Sequence, residues 1–193
     1  MINILVIIHS LIIAISNALV HIPIVLFGFK LSFAAFVYPL IVLVTDLTVR
    51  ELGSNLANKT IKRTFPYAIF ISILIVFLEK NNLTFAIRIG LASSISYGIG
   101  TLIDVHVFQK IRNKYSYWWL APLLSTIVSN IIDTYSFFIV AFYNSSDVYM
   151  NTHWVELATT LTIIKIIIGA LFFLPLYGII LKRINKEKKC KIH

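Results

Sequence analysis

Apolar residues run along this chain in long blocks, and polar residues gather in the short stretches between them. Six blocks stand out, at residues 2–21, 31–50, 64–79, 84–108, 118–143 and 155–181. Most reach the ~20 residues a helix needs to cross the hydrocarbon core of a bilayer. The third is the shortest. Its charge-free part, TFPYAIFISILIVFL, completes a crossing only if Lys62 and Arg63 extend their side chains to the membrane interface. The pattern predicts an all-α membrane protein. One domain over residues 1–193 carries six transmembrane helices and ends in a basic tail at 182–193.

Composition agrees with the pattern. Hydrophobic residues make up 59% of the chain and charged residues 13%, against about 25% charged in an ordinary soluble domain. A formal net charge of +9 could point to nucleic acid, but the basic residues sit in short segments between apolar blocks. That arrangement is a topology signal. Lys and Arg concentrate at Arg50–Arg63, Lys110–Lys114 and Lys182–Lys191, whereas the opposite loops hold only Lys30 and Lys80. Positive residues stay inside, so both termini are expected in the cytoplasm. The first block lacks a basic start and a small-residue cleavage site, and is read as a retained helix. Trp118, Trp119 and Trp154, with Tyr115, Tyr117, Tyr143 and Tyr149, fall at block edges, where an interfacial aromatic belt is expected. The lone Cys190 is a free tail thiol, because Lys191 breaks a prenylation pattern.

Charge inside an apolar block is costly, and such residues are functional candidates. Asp46, Arg50, Arg88, Asp104, Asp133 and Lys165 lie within the blocks, three acids and three bases. Asp46 and Arg50 are four residues apart near an inner helix end, which puts them on one face and predicts a pair. Asp104 lies at a similar depth in the fourth block, and Arg88 lies near that block's outer end. Asp133 and Lys165 are deeper. Each is ten residues from an outer helix end, roughly 15 Å in, on helices joined by a short loop. A direct or ligand-bridged pair is expected there. Around Asp133 the fifth block is unusually polar: Ser125, Ser129 and Ser136 share its stripe, with Thr126, Asn130 and Thr134 beside it. A hydrated or ligand-lined face is expected. The first block adds a smaller stripe of Ser10, Asn17 and His21, with His9 alongside.

Other chemistries find little support. No metalloprotease, nucleophile-elbow or phosphate-loop string is present. Asp104 and His106 are two apart and point to different sides of a helix, which argues against a local metal pair. An intramembrane enzyme using Asp46, Asp104 or His106 would lack any catalytic string, so no catalysis, metal or cofactor is expected. Energy from ATP would have to come from another chain. TDLTVREL and IDVHVFQK echo one another, each with an aspartate three residues before a valine at an inner helix end, as in an internal repeat.

The strings VTDLTVRELG, GTLIDVHVFQKIR, WWLAPLLSTIVSNIIDTYSFFIVAF and FFLPLYGIIL, in that order, resemble the queuosine-precursor transporter family. The resemblance runs from ISNALVHIP to Leu181. It implies a multi-pass protein of the bacterial inner membrane, with a fold similar to the substrate-binding membrane subunits of vitamin uptake systems. It also implies import of 7-cyano- and 7-aminomethyl-7-deazaguanine. Another nucleobase or a vitamin is the competing cargo. The implied partners are the small-molecule base and the lipid bilayer, not nucleic acid, with a homo-oligomer or an energising partner left open. A deazaguanine presents a ring N–H and an amine side by side, and one carboxylate can accept both. Asp133 is the first choice for that role. Asn130 or Asn17 could donate to the ring carbonyl, and Ser129 and Thr126 could line the site. Tyr97 or Tyr135 could stack on the base, and Lys165 could hold Asp133 until substrate arrives. Asp46, Arg50, Asp104 and Arg88 are expected to form gate or structural charge pairs. The Lys80–Leu83 loop is shorter than the family pattern and lies where an outer gate would be.

Overall fold

A computed structural model describes residues 1–19, 22–26, 29–37 and 39–190. His21, from the first-helix stripe, lies outside them, as does the side chain of Cys190. The first helix, α1, covers Ile2–Ala18. A hairpin of β1 (Pro23–Leu26) and β2 (Phe29–Ser32) follows, in antiparallel register with Pro23 opposite Ser32 and Ile24 opposite Leu31. Then come a one-turn helix α2 (Ala34–Val37), α3 (Pro39–Leu52), α4 (Ser54–Lys80), α5 (Leu83–Lys114) and α6 (Leu120–Phe142). Helix α7 (Val148–Ile168) passes through a π-helical turn at Gly169–Phe173 into α8 (Leu174–Cys190).

Three helix starts differ from the apolar pattern by several residues. Residues 31–33 begin no helix. Leu31 and Ser32 pair with β1, and the Phe33 N–H bonds to the Ile22 carbonyl at 2.9 Å. β-branched Ile24 and Val25 and a leading proline suit that strand. Helix α4 begins ten residues before the expected third span. Ala57, Thr60, Ile61 and Thr64 recur at helical spacing and are buried, whereas Lys59, Lys62 and Arg63 face outward. A charge-free window misses such an amphipathic extension. The break before α4 is Gly53, whose φ of +88° is reached at little cost only without a Cβ. The last span starts earlier as well: α7 opens at Val148, with the Asp147 carboxylate accepting from the Met150 N–H at 3.0 Å.

Among the described residues four helical segments are long and apolar enough to cross a membrane: α4, α5, α6 and the continuous run 148–186. The chain is therefore an all-helical, multi-pass membrane protein, apart from one short hairpin. Helix α1 is apolar but has 17 residues, about 25 Å of rise. Large side chains such as Leu78 (73% exposed) and Leu171 (65%) point outward, as they would toward lipid tails. The interior carries an apolar cluster including Ile41, Val49, Ile61, Val105, Phe108 and Tyr177.

Helix α5 is the spine, packing most extensively on α6 and α4. Small residues let it approach both. A Cβ on Gly90 would lie 2.7 Å from the backbone nitrogen of Ile73 in α4. A Cβ on Gly100 would lie 3.0 Å from the Cβ of Asp133 in α6. Close approach through small residues is how membrane helices associate where lipid offers no hydrophobic drive. Between α4 and α5 only Asn81 and Asn82 intervene. Asn81 is left-handed at φ 50°, and Asn82 accepts from the Phe85 N–H at 3.0 Å, so the Lys80–Leu83 loop is a capped turn.

Replacing Gly90 with valine should force α4 and α5 apart. Overpacking of this kind costs about 1–3 kcal/mol or more. Thermal unfolding of the purified protein in detergent should show a lower midpoint than wild type.

Candidate functional site

The polar stripe of α6 faces inward. Ser125, Ser129, Asn130, Asp133 and Thr134 are all buried, whereas Thr126 is half-buried. Two charge clusters hang on this stripe. In the first, the Lys165 ammonium of α7 lies 2.9 Å from Oδ2 of Asp133 and donates to the Thr134 hydroxyl at 3.2 Å. The two charges lie on helices joined by one loop, and they meet directly. Their charges cancel at short range, which limits the cost of holding them away from water. Nearby in sequence, both amide atoms of Asn130 lack a hydrogen-bond partner, although the residue is 1% exposed. A buried carboxamide left unsatisfied is an expensive arrangement, and a ligand or water would relieve it. The Thr162 hydroxyl of α7 is unpartnered as well.

The second cluster corrects an expectation. Asp46 does not pair with Arg50, although four residues separate them on one helix. The Asp46 carboxylate turns toward α5 and α6. It meets the Asp104 carboxyl at hydrogen-bond contact and accepts from the Ser125 hydroxyl at 3.4 Å. Arg50 turns the other way, donating to the Tyr177 hydroxyl at 3.1 Å and lying 5.9 Å from that ring's centre. A helix face is broad enough for two neighbours on it to serve different partners. The two aspartates of the sequence echo are thus adjacent in space. Asp104 is completely buried. The hydroxyls of Ser125 and Ser129 are its neighbours, yet neither of its oxygens has a donor in good geometry.

Other candidates serve as fasteners. Arg88 donates to the carbonyls of Val140 (3.3 Å) and Tyr143, capping the end of α6. Arg112, counted only as a topology charge in the sequence, caps α3 through the carbonyls of Val49 (3.4 Å) and Arg50 (2.8 Å). No local sequence signal points to that contact, which joins positions 62 and 63 residues apart. Asn17 donates to Ser72 at 2.7 Å and accepts from Ser93 at 3.2 Å, and His9 bonds the Tyr97 hydroxyl at 3.0 Å. These bonds tie α1 to α4 and α5. Asn17 and Tyr97 are engaged there rather than at Asp133. Tyr135 reaches the Thr159 hydroxyl at 2.7 Å across α6 and α7, on an exposed edge.

A crevice lies between α3, α6 and the π-helical turn, with Asp46, Thr126, Gly169 and Tyr177 on its walls. It admits little more than a water. Among the described residues no group of three or more His, Cys, Asp or Glu is placed to hold a metal.

Comparison with known proteins adds a family frame. The family described as "Putative vitamin uptake transporter" matches residues 32–180. The chain is 40% identical over 191 residues to the "Queuosine precursor transporter" of Escherichia coli (strain K12), covering 93% of this chain and 86% of that protein. It is 36% identical over 202 residues to the "Probable queuosine precursor transporter" of Haemophilus influenzae, with the same shares covered. No solved structure matches.

The Asp133–Lys165 pair makes a stability prediction. Lys165→Met should strand a buried carboxylate and destabilise the protein by about 3–5 kcal/mol. The double variant Asp133→Leu/Lys165→Met removes both charges and should recover most of that loss. Unfolding midpoints of the three proteins in one detergent check this, and additive losses would contradict direct pairing.

Proposed function

The chain belongs to the vitamin uptake transporter family, with queuosine precursor transporters as relatives along nearly its whole length, and from that premise we propose that it imports 7-deazaguanine precursors of queuosine for salvage into tRNA modification. The observation that carries this reading is the likeness over 93% of the chain to relatives of that name. The protein is a carrier rather than a catalyst. It sits in the bacterial inner membrane as one domain of six crossings: α1, α3, α4, α5, α6 and the α7–α8 run. Both termini are cytoplasmic, since the basic residues cluster beside α3, at the end of α5 and in the tail. Helices α1 and α3 are short for a crossing, and local bilayer thinning would accommodate them. The arrangement is akin to that of the substrate-binding membrane subunits of vitamin uptake systems.

Substrate recognition is assigned to the α6–α7 polar face. Asp133 accepts the ring N–H and exocyclic amine of the base, a paired contact suited to two carboxylate oxygens. Asn130, whose amide is unsatisfied, donates to the ring carbonyl. Ser129 and Thr126 line the approach. Lys165 neutralises Asp133 when the site is empty and yields part of that carboxylate when the base arrives. A hydrogen-bonding site of this kind rejects cargo lacking the matching donors, because its own buried groups would be left unpaired.

A bacterial strain that cannot synthesise the precursor, and lacks its own importer, tests the reading. Supplied with the base, it should make queuosine-modified tRNA only when this protein is expressed. Equal modification without the protein would reject import. Asp133→Asn should reach the membrane at a normal level yet reduce uptake by about 100-fold, the scale of losing a charge-assisted pair of hydrogen bonds. Competition by unlabelled vitamins as strong as by guanine-like bases would instead favour a vitamin cargo.

A further inference from the structure

The Asp46–Asp104 contact is unexplained by substrate binding. Both carboxyls are buried, and they touch each other across α3 and α5. Among the described residues no cation offsets them. On α3, Arg50 is committed to Tyr177, and on α5, Arg112 is committed to the carbonyls of Val49 and Arg50. On α6 and α7, Asp133 and Lys165 neutralise each other. On α1, His9 is bound to Tyr97, and on α4, Lys59, Lys62 and Arg63 are exposed. Tyr177 of α8 stands within electrostatic reach of Asp46 but carries no positive charge. The helix α2 and the π-helical turn contain no ionisable residue. Two carboxylates in contact, away from water and without a counterion, repel strongly.

The hydrogen-bonding ledger is short by one donor. Ser125 can serve only part of the pair, and both oxygens of Asp104 lack a donor although the residue is 0% exposed. A proton on one carboxyl removes both problems. It cancels one charge and supplies an O–H that the other carboxylate accepts, as in carboxyl dyads that share a proton. We infer that Asp46 and Asp104 share one proton and form the site of the coupling ion, making this a proton-driven carrier. The inference rests on the transporter reading for its role, though not for the shared proton.

Two features join this site to transport. Asp46 lines the crevice between α3, α6 and the π-helical turn, which gives the proton a route out. Interruptions of this helical type recur at functional sites. The proton site is also one turn of α5 from the substrate site. Gly100 abuts Asp133, and Asp104 follows it by four residues. A base that draws Asp133 away from Lys165 moves the surface on which α5 rests, and with it the spacing of the two carboxyls. Ser125, Ser129 and Asp133 continue the link along α6 at four-residue intervals. The cycle balances simply: one proton binds the dyad from the side of higher proton activity and leaves to water on the other side, with one neutral base carried in the same direction.

Two measurements on the full-length protein in lipid vesicles test this. Infrared spectroscopy at neutral pH should show the C=O stretch of a protonated carboxylic acid, shifted in heavy water and lost in both Asp46→Asn and Asp104→Asn. In each variant the amide can donate to the remaining carboxylate, so the packing survives. Absence of the band in wild type, or its survival in both variants, would overturn the shared proton. Uptake of 7-cyano-7-deazaguanine should rise to an accumulation ratio of about tenfold per pH unit of inward gradient, the free energy of one proton per neutral base. In Asp104→Asn the ratio of uptake with and without the gradient should fall to about one. A response to a sodium gradient alone would overturn proton coupling. Failure of any base to move under any gradient would reject the transporter reading, and the infrared result would still decide the dyad.

Discussion

Every charge inside this molecule has to be neutralised by the protein itself, because neither lipid nor core can do it. That constraint orders the structure. Lys165 meets Asp133 at 2.9 Å. Arg88 and Arg112 are placed where helices α6 and α3 end and their carbonyls lack intrahelical partners. Arg50 rests on the hydroxyl and ring of Tyr177. With the arginines used as fasteners, Asp46 and Asp104 are left with each other and with serine hydroxyls. The dyad follows from how the other charges have been assigned.

Helix α5 lets these neutralisations occur in a small space. Its glycines bring it against the backbone of Ile73 on one side and against Asp133 on the other. Residues of α5 therefore take part in the polar contacts to α1, in the dyad with α3 and in the cap of α3. Polar groups at these contacts do what a hydrophobic drive cannot do in lipid: they specify which helix lies beside which. The π-helical turn at Gly169–Phe173 adds a region of altered helical winding opposite the dyad, where Gly169 leaves room for Thr126. The proposed substrate and proton sites and this irregular turn thus lie on one flank of α5, while His9, Asn17 and Tyr97 hold the other elements together.

Depth was legible along the chain, and direction was not. Counting residues from the shared loop placed Asp133 and Lys165 at one level, and the loop between them was short enough for that level to become a contact. The same arithmetic put Asp46 and Arg50 on one face and suggested a pair, but a one-dimensional count cannot say which neighbour each side chain turns toward. The echo between TDLTVREL and IDVHVFQK marked the two aspartates that meet, without indicating that they would. The ten extra residues of α4 were hidden because their apolar positions alternate with lysines and an arginine, so a window searching for uncharged sequence passed over them. Asn17 and Tyr97 carried the right chemistry for a base, yet chemistry alone does not separate a ligand contact from a bond between helices.

The sequence by itself determined the solvent, the helical class, the family and the position of each charged residue along its helix. All of these depend on local composition, on spacing of 1.5 Å per residue and on ordered strings. Tertiary structure decided the partners: Asp46 with Asp104 rather than Arg50, Arg112 with the end of α3, and the hairpin in place of the start of a helix. Such contacts join residues as far apart in the chain as Arg50 and Tyr177, 127 positions. They arise where helix packing brings two faces together, and the energy of a buried charge depends on what stands opposite it, which no stretch of sequence contains.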